Sequence, residues 1–338
     1  MIPGPANAIT DVSGVLVGHH QRIGAGWATG TTVVLAPDAT VGAVDGRGGA
    51  PGTRETDLLA PENLVQHVNA VCLSGGSAYG LASADGVMRW LAAEHIGFPV
   101  GTQPHHVVPI VPAAVLFDLP AGDWGNRPDA EFGYAACQAA TAGPVAQGSV
   151  GAGTGARLGS LKGGVGTASA RVGGCTVGAL AVANAAGEAV DRNTGVPLAA
   201  DIGLAGEFGG AWPHRPGDIP SAPRAVLNTT IGVVAVDAAL TKAQARRLAV
   251  AAQDGLARAV RPAHSMFDGD TVFALATGAR PLEDGGAAGA FGGPGRWAAA
   301  LDRLCAAAAD TFARAVVHAL LAATAVNGVP AYRDVWPR

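Results

Sequence analysis

The sequence predicts an α/β (α+β) protein in which helices cover the outer faces of β-sheets. Short apolar runs bounded by turn residues alternate irregularly with longer stretches whose apolar residues have helical spacing. Sheets covered by helices are the natural packing for such a chain. With 338 residues, of which 49% are hydrophobic and 50 are glycine, the chain is long enough to bury a large, turn-rich core.

The predicted strands are short and contain many β-branched residues. The runs at 31–36 and 69–73 are apolar and are bounded by turn residues, as strands usually are. Further buried strands are expected from Cys175 to Asn184 and from Val272 to Thr277. The run at 227–237 leads from a proline-broken loop into another buried strand.

Three helices are predicted from their caps and their spacing. One spans about 77–93 with Ser77 as its N-cap, and a second spans about 241–260 with Thr241 as its N-cap. An alanine-rich helix from Arg296 to Ala323 carries an apolar stripe, which indicates that it packs on a sheet.

Composition and charge exclude several classes of function. The formal net charge is −4 and no basic run occurs, so nucleic acid and anionic membranes are poor candidate partners. Glycine, proline or a charged residue interrupts every apolar run before ~20 residues, so no membrane span is predicted. The first residues lack the charged and apolar regions of a secretory signal. Four widely spaced cysteines without a C-x-x-C pair indicate neither a metal site nor a disulfide framework, and we expect a cytoplasmic protein.

The chain has only two lysines, Lys162 and Lys242, among its 22 basic residues. Because the chain uses arginine at its other basic positions, the remaining lysines suggest sites that need an ammonium group. G+C-rich coding also depletes lysine. Lys242 lies in the first turn of a predicted helix and is expected to be a solvated surface residue. Lys162 lies among apolar residues and glycines, which makes it the stronger candidate for a functional site.

The run at 227–237 contains the strongest catalytic candidate. Thr229 follows Asn228 at the mouth of a buried strand, where a self-cleaving enzyme would keep its nucleophile. If the Asn228–Thr229 bond breaks, Thr229 gains a free α-amine beside its own hydroxyl, which supplies nucleophile and base in one residue. The alternative is a core strand opened by two threonines, which favour strands for their branching alone.

A pair of carboxylates lies in the segment Asp268-Gly269-Asp270, just before a predicted strand. Side chains two residues apart lie on one side of an extended chain, so the two carboxylates can share a proton or orient a single neighbour. Like charges that close raise one of the two pKa values. The alternative is a solvated Asp-Gly turn, whereas a calcium loop is disfavoured because its pattern fails after Asp270.

Two glycine-rich segments fail the tests for other chemistries. The stretch at 151–166 lacks the glycine that must precede the lysine of a phosphate-binding loop, because Lys162 follows leucine. Ser77 misses the nucleophile-elbow pattern because Tyr79 occupies the position of the final glycine. No cofactor is therefore predicted, and the glycines fit a backbone that approaches a reacting peptide closely.

Five segments, taken in chain order, resemble one family: residues 7–19, 73–81, 151–155, 162–169 and 268–270. They resemble the self-processing aminopeptidases of the D-aminopeptidase/β-peptidyl aminopeptidase family, over most of the chain from Asn7 to Thr277. The aminopeptidase branch proper has serine and glutamate at the two aspartate positions of the last segment. The sequence is therefore most similar to the branch of the 6-aminohexanoate-oligomer (nylon-oligomer) hydrolase.

The resemblance implies a four-layer αββα sandwich of the N-terminal-nucleophile-hydrolase type. It implies a single domain, residues 1–338, that cleaves its own chain into fragments 1–228 and 229–338. These fragments would remain associated. It also implies a homo-oligomer, a tetramer or larger, of such fragment pairs.

The resemblance also assigns roles to individual residues. Thr229 would be the nucleophile and, through its amine, the base, while Asp268 and Asp270 would complete a relay to it. Asn184 ends an apolar strand and can donate its amide hydrogen to an oxyanion, although strand-end asparagines are also common turn residues. Lys162 would donate to the same oxygen or keep the amine neutral. The predicted site therefore comprises Thr229, Asp268, Asp270, Asn184, Lys162 and, as a further donor, Tyr134.

Together these observations predict a threonine amidohydrolase of aminopeptidase type that cleaves small peptides or amides through an acyl-enzyme. Two alternatives remain open. An acyltransferase on a similar fold, as in the ornithine acetyltransferases, would pass the acyl group to an amine instead of water. A non-catalytic binding protein with a vestigial site would not cleave itself at all.

Overall fold

The computed structural model describes residues 1–209, 212–220, 227–282 and 296–337, which form fourteen strands and five helices. The strands are β1 (Leu16–Gly24), β2 (Trp27–Leu35), β3 (Val41–Gly46), β4 (Thr53–Arg54), β5 (Ala70–Ser74), β6 (Phe98–Pro99), β7 (Val107–Val108), β8 (Ala113–Val115), β9 (Arg157–Leu158), β10 (Leu161–Lys162), β11 (Gly164–Val172), β12 (Cys175–Ala183), β13 (Ile231–Ala238) and β14 (Thr271–Arg280). The helices are α1 (Ser83–Ala93), α2 (Ala130–Gln138), α3 (Lys242–Ala259), α4 (Arg296–Ala322) and α5 (Tyr332–Val335).

Two five-stranded sheets lie face to face at the centre of the molecule. Their strand orders are β1-β2-β5-β8-β4 and β11-β12-β13-β14-β3. Because successive side chains of a strand point to opposite faces, neighbouring residues belong to different cores. Val34 and Val233 contribute to the core between the sheets, Val33 packs beneath α1 and α2, and Val234 packs beneath α3 and α4. The predicted four-layer αββα sandwich is confirmed.

The topology of the second sheet brings distant parts of the chain to one edge. Strand β13 runs antiparallel to β12, with Val182 opposite Ile231, and parallel to β14, with Ile231 opposite Thr271. Consequently the end of β12 and the starts of β13 and β14 meet. The start of β11 joins them, since Gly164 pairs with Ala183.

The helix predictions are confirmed for α3 and α4 and corrected for α1. Thr241 caps α3, where its hydroxyl accepts the Gln244 amide, and α4 ends one residue before the predicted end. Ser77 is not an N-cap: it opens a 3-10 turn, Ser77–Ala82, and has a left-handed φ of 52°. The chain must turn sharply as it leaves β5, so α1 begins only at Ser83.

Helix α4 contains an apolar stretch, Trp297–Ala322, that is long enough by composition to cross a membrane. The sequence prediction excluded such a span because charged residues interrupt it. Most of this helix is buried against the second sheet and against α3, where Leu304, Phe312 and Val316 enter the core. Its apolar character is that of a core helix.

Lys242 is buried, and its prediction as a solvated surface residue is wrong. Its side chain lies under the loop that follows β4, and the residue is 3% exposed. The ammonium group donates to the carbonyl oxygens of Leu58 and Val65 at 3.0 and 2.9 Å, and more weakly to that of Asn63. A loop far away in the sequence therefore determines the environment of this lysine.

Replacing Lys242 with alanine is expected to lower the free energy of unfolding by about 2–4 kcal/mol, because buried carbonyl groups lose a charged donor. Denaturant titration of the purified protein measures this change. Arg246→Ala, at an exposed position of the same helix, serves as the matched control and should change stability by less than ~0.5 kcal/mol. Equal losses of unfolding free energy in the two variants would show that the hydrogen bonds of Lys242 to the loop after β4 do not stabilise the fold.

Candidate active site

The edge where β11, β12, β13 and β14 meet carries the predicted catalytic residues other than Tyr134. An isolated bridge pairs Asn228 with Asp268, which extends the parallel register of β13 and β14 by three residues. Asn184 directly follows β12, and Lys162 directly precedes the Gly163–Gly164 step into β11. The sheet thereby brings together residues from four separate segments.

Thr229 is 5% exposed, and both its backbone N–H and its hydroxyl make hydrogen bonds. Its backbone N–H donates to the carbonyl oxygen of Asn184 at 2.8 Å. Its hydroxyl donates to the carbonyl oxygen of Asn228 at 2.5 Å, so this hydroxyl lies beside the Asn228–Thr229 peptide group.

The Asn228 carbonyl oxygen also receives a backbone donor that sequence reasoning missed. The N–H of Gly269 donates to it at 3.1 Å, which polarises the carbonyl and places a donor where negative charge would develop. A Cβ atom at Gly269 would lie 2.2 Å from the carbonyl oxygen of Ala50, so glycine is required here. The only sequence signal was its place between two aspartates.

Asn184 is buried and uses its backbone and side chain for different tasks. The backbone oxygen accepts the Thr229 N–H, and the side-chain Oδ1 accepts the N–H of Arg157 at 2.8 Å. The side-chain Nδ2 is buried and has no hydrogen-bond partner among the described residues. The Arg157 contact fixes the amide so that its N–H₂ group is available as a donor, as an oxyanion site requires.

Asp268 is fully buried and holds the loop that precedes it. One carboxylate oxygen accepts the backbone N–H and the hydroxyl of Ser265 at 2.9 and 2.6 Å. The other oxygen accepts the N–H of Ala186 at 3.2 Å, two residues beyond Asn184. This carboxylate therefore joins the β12 end of the site to the loop before β14.

Asp270 has a different set of partners. Its Oδ1 accepts the N–H of Thr230 at 2.8 Å, and its Oδ2 accepts Nδ1 of His264 at 2.7 Å. Burial raises the pKa of Asp270, and the hydrogen bond from His264 acts in the opposite direction. The two carboxylates have separate partners, because the loop at 264–268 folds back and supplies Ser265 to Asp268 and His264 to Asp270.

Lys162 is 1% exposed, as its apolar setting in the sequence indicated. Its ammonium group donates to the carbonyl oxygens of Gly153 and Gly163, both at 2.8 Å. Burial lowers the pKa of Lys162 to about 7, while the nearby Asp118 carboxylate acts in the opposite direction. Its charge therefore changes close to neutral pH.

Asp118 is a third buried carboxylate, and sequence reasoning missed it. It accepts the hydroxyl of Thr29 at 2.7 Å and the N–H of Gly76 at 2.6 Å. Burial raises the pKa of Asp118 to about 6. A lone aspartate in an apolar segment carries no motif, so only the fold shows that it lies beside Lys162.

Tyr134 does not join this cluster. It lies on α2 in the outer helical layer, and its ring lies 4.5 Å from the Arg89 guanidinium of α1. Arg89 in turn binds Glu131 in an exposed pair. The prediction of Tyr134 as a further donor is not supported, because residues 130–138 form a surface helix that presents it to Arg89.

The chain belongs to peptidase family S58, whose family model matches residues 7–333. It is 55% identical, over 98% of either chain, to a protein of Mycobacterium bovis that is named an uncharacterized aminopeptidase. It is 31% identical to the 6-aminohexanoate-oligomer endohydrolase of a Kocuria species, and this match covers 79% of this chain and 74% of that protein. These similarities confirm the family resemblance and define the chain as a hydrolase of peptide or amide bonds.

The solved structure of an L-aminopeptidase D-Ala-esterase/amidase from Ochrobactrum anthropi shows the same fold. It covers 97% of this chain and 90% of its own length, with a TM-score of 0.72 and 24% sequence identity. That structure is described as a new variant of the Ntn hydrolase fold. The predicted N-terminal-nucleophile-hydrolase-like architecture is thereby confirmed.

Proposed function

We propose that this peptidase is a self-processing amidohydrolase of aminopeptidase type whose nucleophile is Thr229. The observation that carries the proposal is the contact between the Thr229 hydroxyl and the Asn228 carbonyl group, together with the Gly269 N–H on the same carbonyl oxygen. A hydroxyl and a polarised carbonyl in this arrangement are prepared for an acyl shift.

In the proposed processing step, Oγ1 of Thr229 attacks the carbonyl carbon of Asn228. The carbon–nitrogen bond breaks, the α-nitrogen of Thr229 takes up the proton, and an ester joins the two residues. Water then hydrolyses this ester, which leaves Asn228 with a carboxylate and Thr229 with a free amine. The N–H of Gly269 stabilises the negative charge on the carbonyl oxygen during the attack.

In the proposed turnover, the freed amine accepts the proton of the Thr229 hydroxyl as this oxygen attacks the substrate carbonyl. The backbone oxygen of Asn184, which accepts the Thr229 N–H, is placed to orient that amine. The Asn184 amide supplies an oxyanion donor, and Lys162, which directly precedes the Gly163–Gly164 step into β11, supplies an ammonium group. Asp270 fixes the Thr230 N–H and thereby the backbone beside the nucleophile.

The two proposed fragments would remain together because their strands alternate in one sheet. Strand β13, which follows the cleavage point, pairs with β12 on one side, and β14 pairs with β3 on the other. Separating the fragments would break both hydrogen-bond ladders and open the core between the sheets and the core beneath α3 and α4. We propose that such pairs assemble further into a homo-oligomer, which light scattering of the purified protein tests.

The proposed substrate is a small peptide or amide. Met266 and Phe267 are exposed apolar side chains next to Asp268, and Phe267 accepts the Asn228 N–H through its backbone oxygen. The assay therefore uses short peptides, amino-acid amides, p-nitroanilides and 6-aminohexanoate oligomers with the processed protein. Product formation only with an added amine acceptor would instead favour an acyltransferase. Absence of both activities, with no acylation of Thr229 by a reactive ester, would favour a binding protein.

The catalytic base predicts a specific dependence on pH and on amine reagents. An α-amine has a pKa near ~7.7–8.0 and accepts a proton only when neutral, so kcat/KM should rise with pH up to that range. Carbamylation with cyanate should abolish hydrolysis in step with modification of the fragment that begins at Thr229. Both lysines are buried, which favours reaction at the α-amines. Full activity after complete modification of that fragment would contradict the amine base.

A further inference from the structure

We propose that His264 is a positioning residue for this reaction, which donates to Asp270 and keeps this carboxylate directed at the backbone of Thr230. This proposal rests on the proposed function, since it assigns a task within the same site. It concerns a histidine that the sequence reasoning did not single out and that does not contact the nucleophile in the structure.

The geometry joins His264 to the nucleophile through one carboxylate. Oδ2 of Asp270 accepts both Nδ1 of His264 at 2.7 Å and its backbone N–H at 3.2 Å. Oδ1 of Asp270 accepts the N–H of Thr230 at 2.8 Å. The carboxylate is thus clamped between the histidine and the residue directly after Thr229, so a change in its orientation or charge would alter the backbone beside the nucleophile.

The backbone of His264 has an unfavourable conformation, which its contacts with Asp270 help to hold. Its φ of 59° lies in the left-handed region, which is unfavourable for residues other than glycine. Such a conformation persists where the surroundings hold it firmly. Here Asp270 holds the side chain and the backbone of His264 together, and the imidazole Nε2 is buried with no partner among the described residues.

The groups around Asp270 show why a hydrogen-bond donor such as His264 is needed to stabilise its carboxylate form. Burial raises the pKa of Asp270, and the charge of Asp268 on the same loop raises it further. The packed elements offer little compensation: Arg47, which follows β3, directs its guanidinium to Asp45 and Asp254, and Gln253 of α3 is neutral and donates to the Asp270 backbone. On the β13 side the contact comes from the neutral Thr230 amide.

Removal of the imidazole should therefore raise the pKa of Asp270 and weaken its hold on Thr230 at mildly acidic pH. His264→Gly tolerates the left-handed backbone and removes the donor. His264→Asn also tolerates that backbone and keeps an N–H donor near the Nδ1 position. His95→Gly is the matched control, because His95 has the same φ of 59° but is exposed in the turn after α1.

The first measurement follows the Asp270 carboxyl carbon by ¹³C NMR titration in full-length Thr229→Ala protein, which needs no catalytic activity. We expect His264→Gly to raise the pKa of Asp270 by about one unit and His264→Asn to preserve it. His95→Gly should leave it unchanged. An unchanged Asp270 pKa in His264→Gly would overturn the proposal.

The second measurement is the pH profile of kcat/KM for the processed enzymes. The α-amine sets the main acidic limb of this profile, and Asp270 adds a second limb at lower pH. His264→Gly should shift this second limb upward by about one pH unit, with about a tenfold loss at the low-pH end and little change in KM. His264→Asn should restore the limb. A uniform loss at every pH, equal in both variants, would show a merely structural role and overturn the proposal. Inactivity of the unsubstituted protein, with the NMR shift present, would reject the proposed function but not the His264–Asp270 coupling.

Discussion

Thr229→Ala is expected to give a single chain of 33.3 kDa and no measurable hydrolysis of any substrate. The substituted chain has no hydroxyl to attack the Asn228 carbonyl, so the peptide bond stays intact and no free amine forms. Because nucleophile and base are lost together, we expect kcat to fall by about 10⁴-fold or more. Denaturing gels and a peptide assay measure the two effects.

Thr230→Ala is the matched control for this substitution. Thr230 is also buried, and the contact it makes with Asp270 uses its backbone N–H, which alanine retains. This variant should still yield two fragments and should keep most of its activity. Fragments 1–228 and 229–338 in the Thr229→Ala protein would mean that another group performs the cleavage.

Asn184→Asp is expected to process itself but to lose about 10²–10³-fold in kcat, because one oxyanion donor is removed. Aspartate keeps an oxygen for the Arg157 N–H, and the backbone oxygen that holds Thr229 is unchanged. Processing should survive because the N–H of Gly269 serves the Asn228 carbonyl. Intact mass and steady-state kinetics of the same preparation separate the two effects.

Asn184→Ala provides the comparison for this experiment. Alanine removes the donor and also leaves the Arg157 N–H without its acceptor, so an additional loss of stability is expected. Both variants should show a similar fall in kcat if the donor is what matters. Near-normal kcat in Asn184→Asp would exclude the Asn184 amide from the oxyanion site.

The strands and the two longest helices followed from local patterns in the sequence. Thr241 has a capping partner three residues away, and the β-branched run before Asp237 reads as a buried strand, because these signals lie within a few residues of each other. The four-layer stacking depends on contacts between distant segments, so periodicity alone did not predict it and the family resemblance was needed.

The sequence predicted those residues of the candidate site whose side chains could be assigned a role from the sequence pattern or from the family resemblance. Thr229, Asn184 and the two aspartates meet at one sheet edge, as expected. The Gly269 N–H and the His264 imidazole act through backbone register and a folded-back loop, which no residue pattern displays.

The wrong predictions have the same physical origin. Lys242 was placed in solvent because it lies in the first turn of a predicted helix, yet its ammonium group donates to carbonyl groups at 58–65. Tyr134 was placed near the nucleophile, whereas the fold packs it against Arg89 on α1. In both cases the deciding partner comes from a different part of the chain.

The intact mass of the purified, unsubstituted protein tests the central claim most directly. We predict two species, with the masses of residues 1–228 and 229–338. The N-terminal residue of the smaller species should be Thr229. A single species of 33.3 kDa in a protein that nevertheless hydrolyses peptides would contradict the account, because catalysis would then proceed without the amine that the mechanism requires.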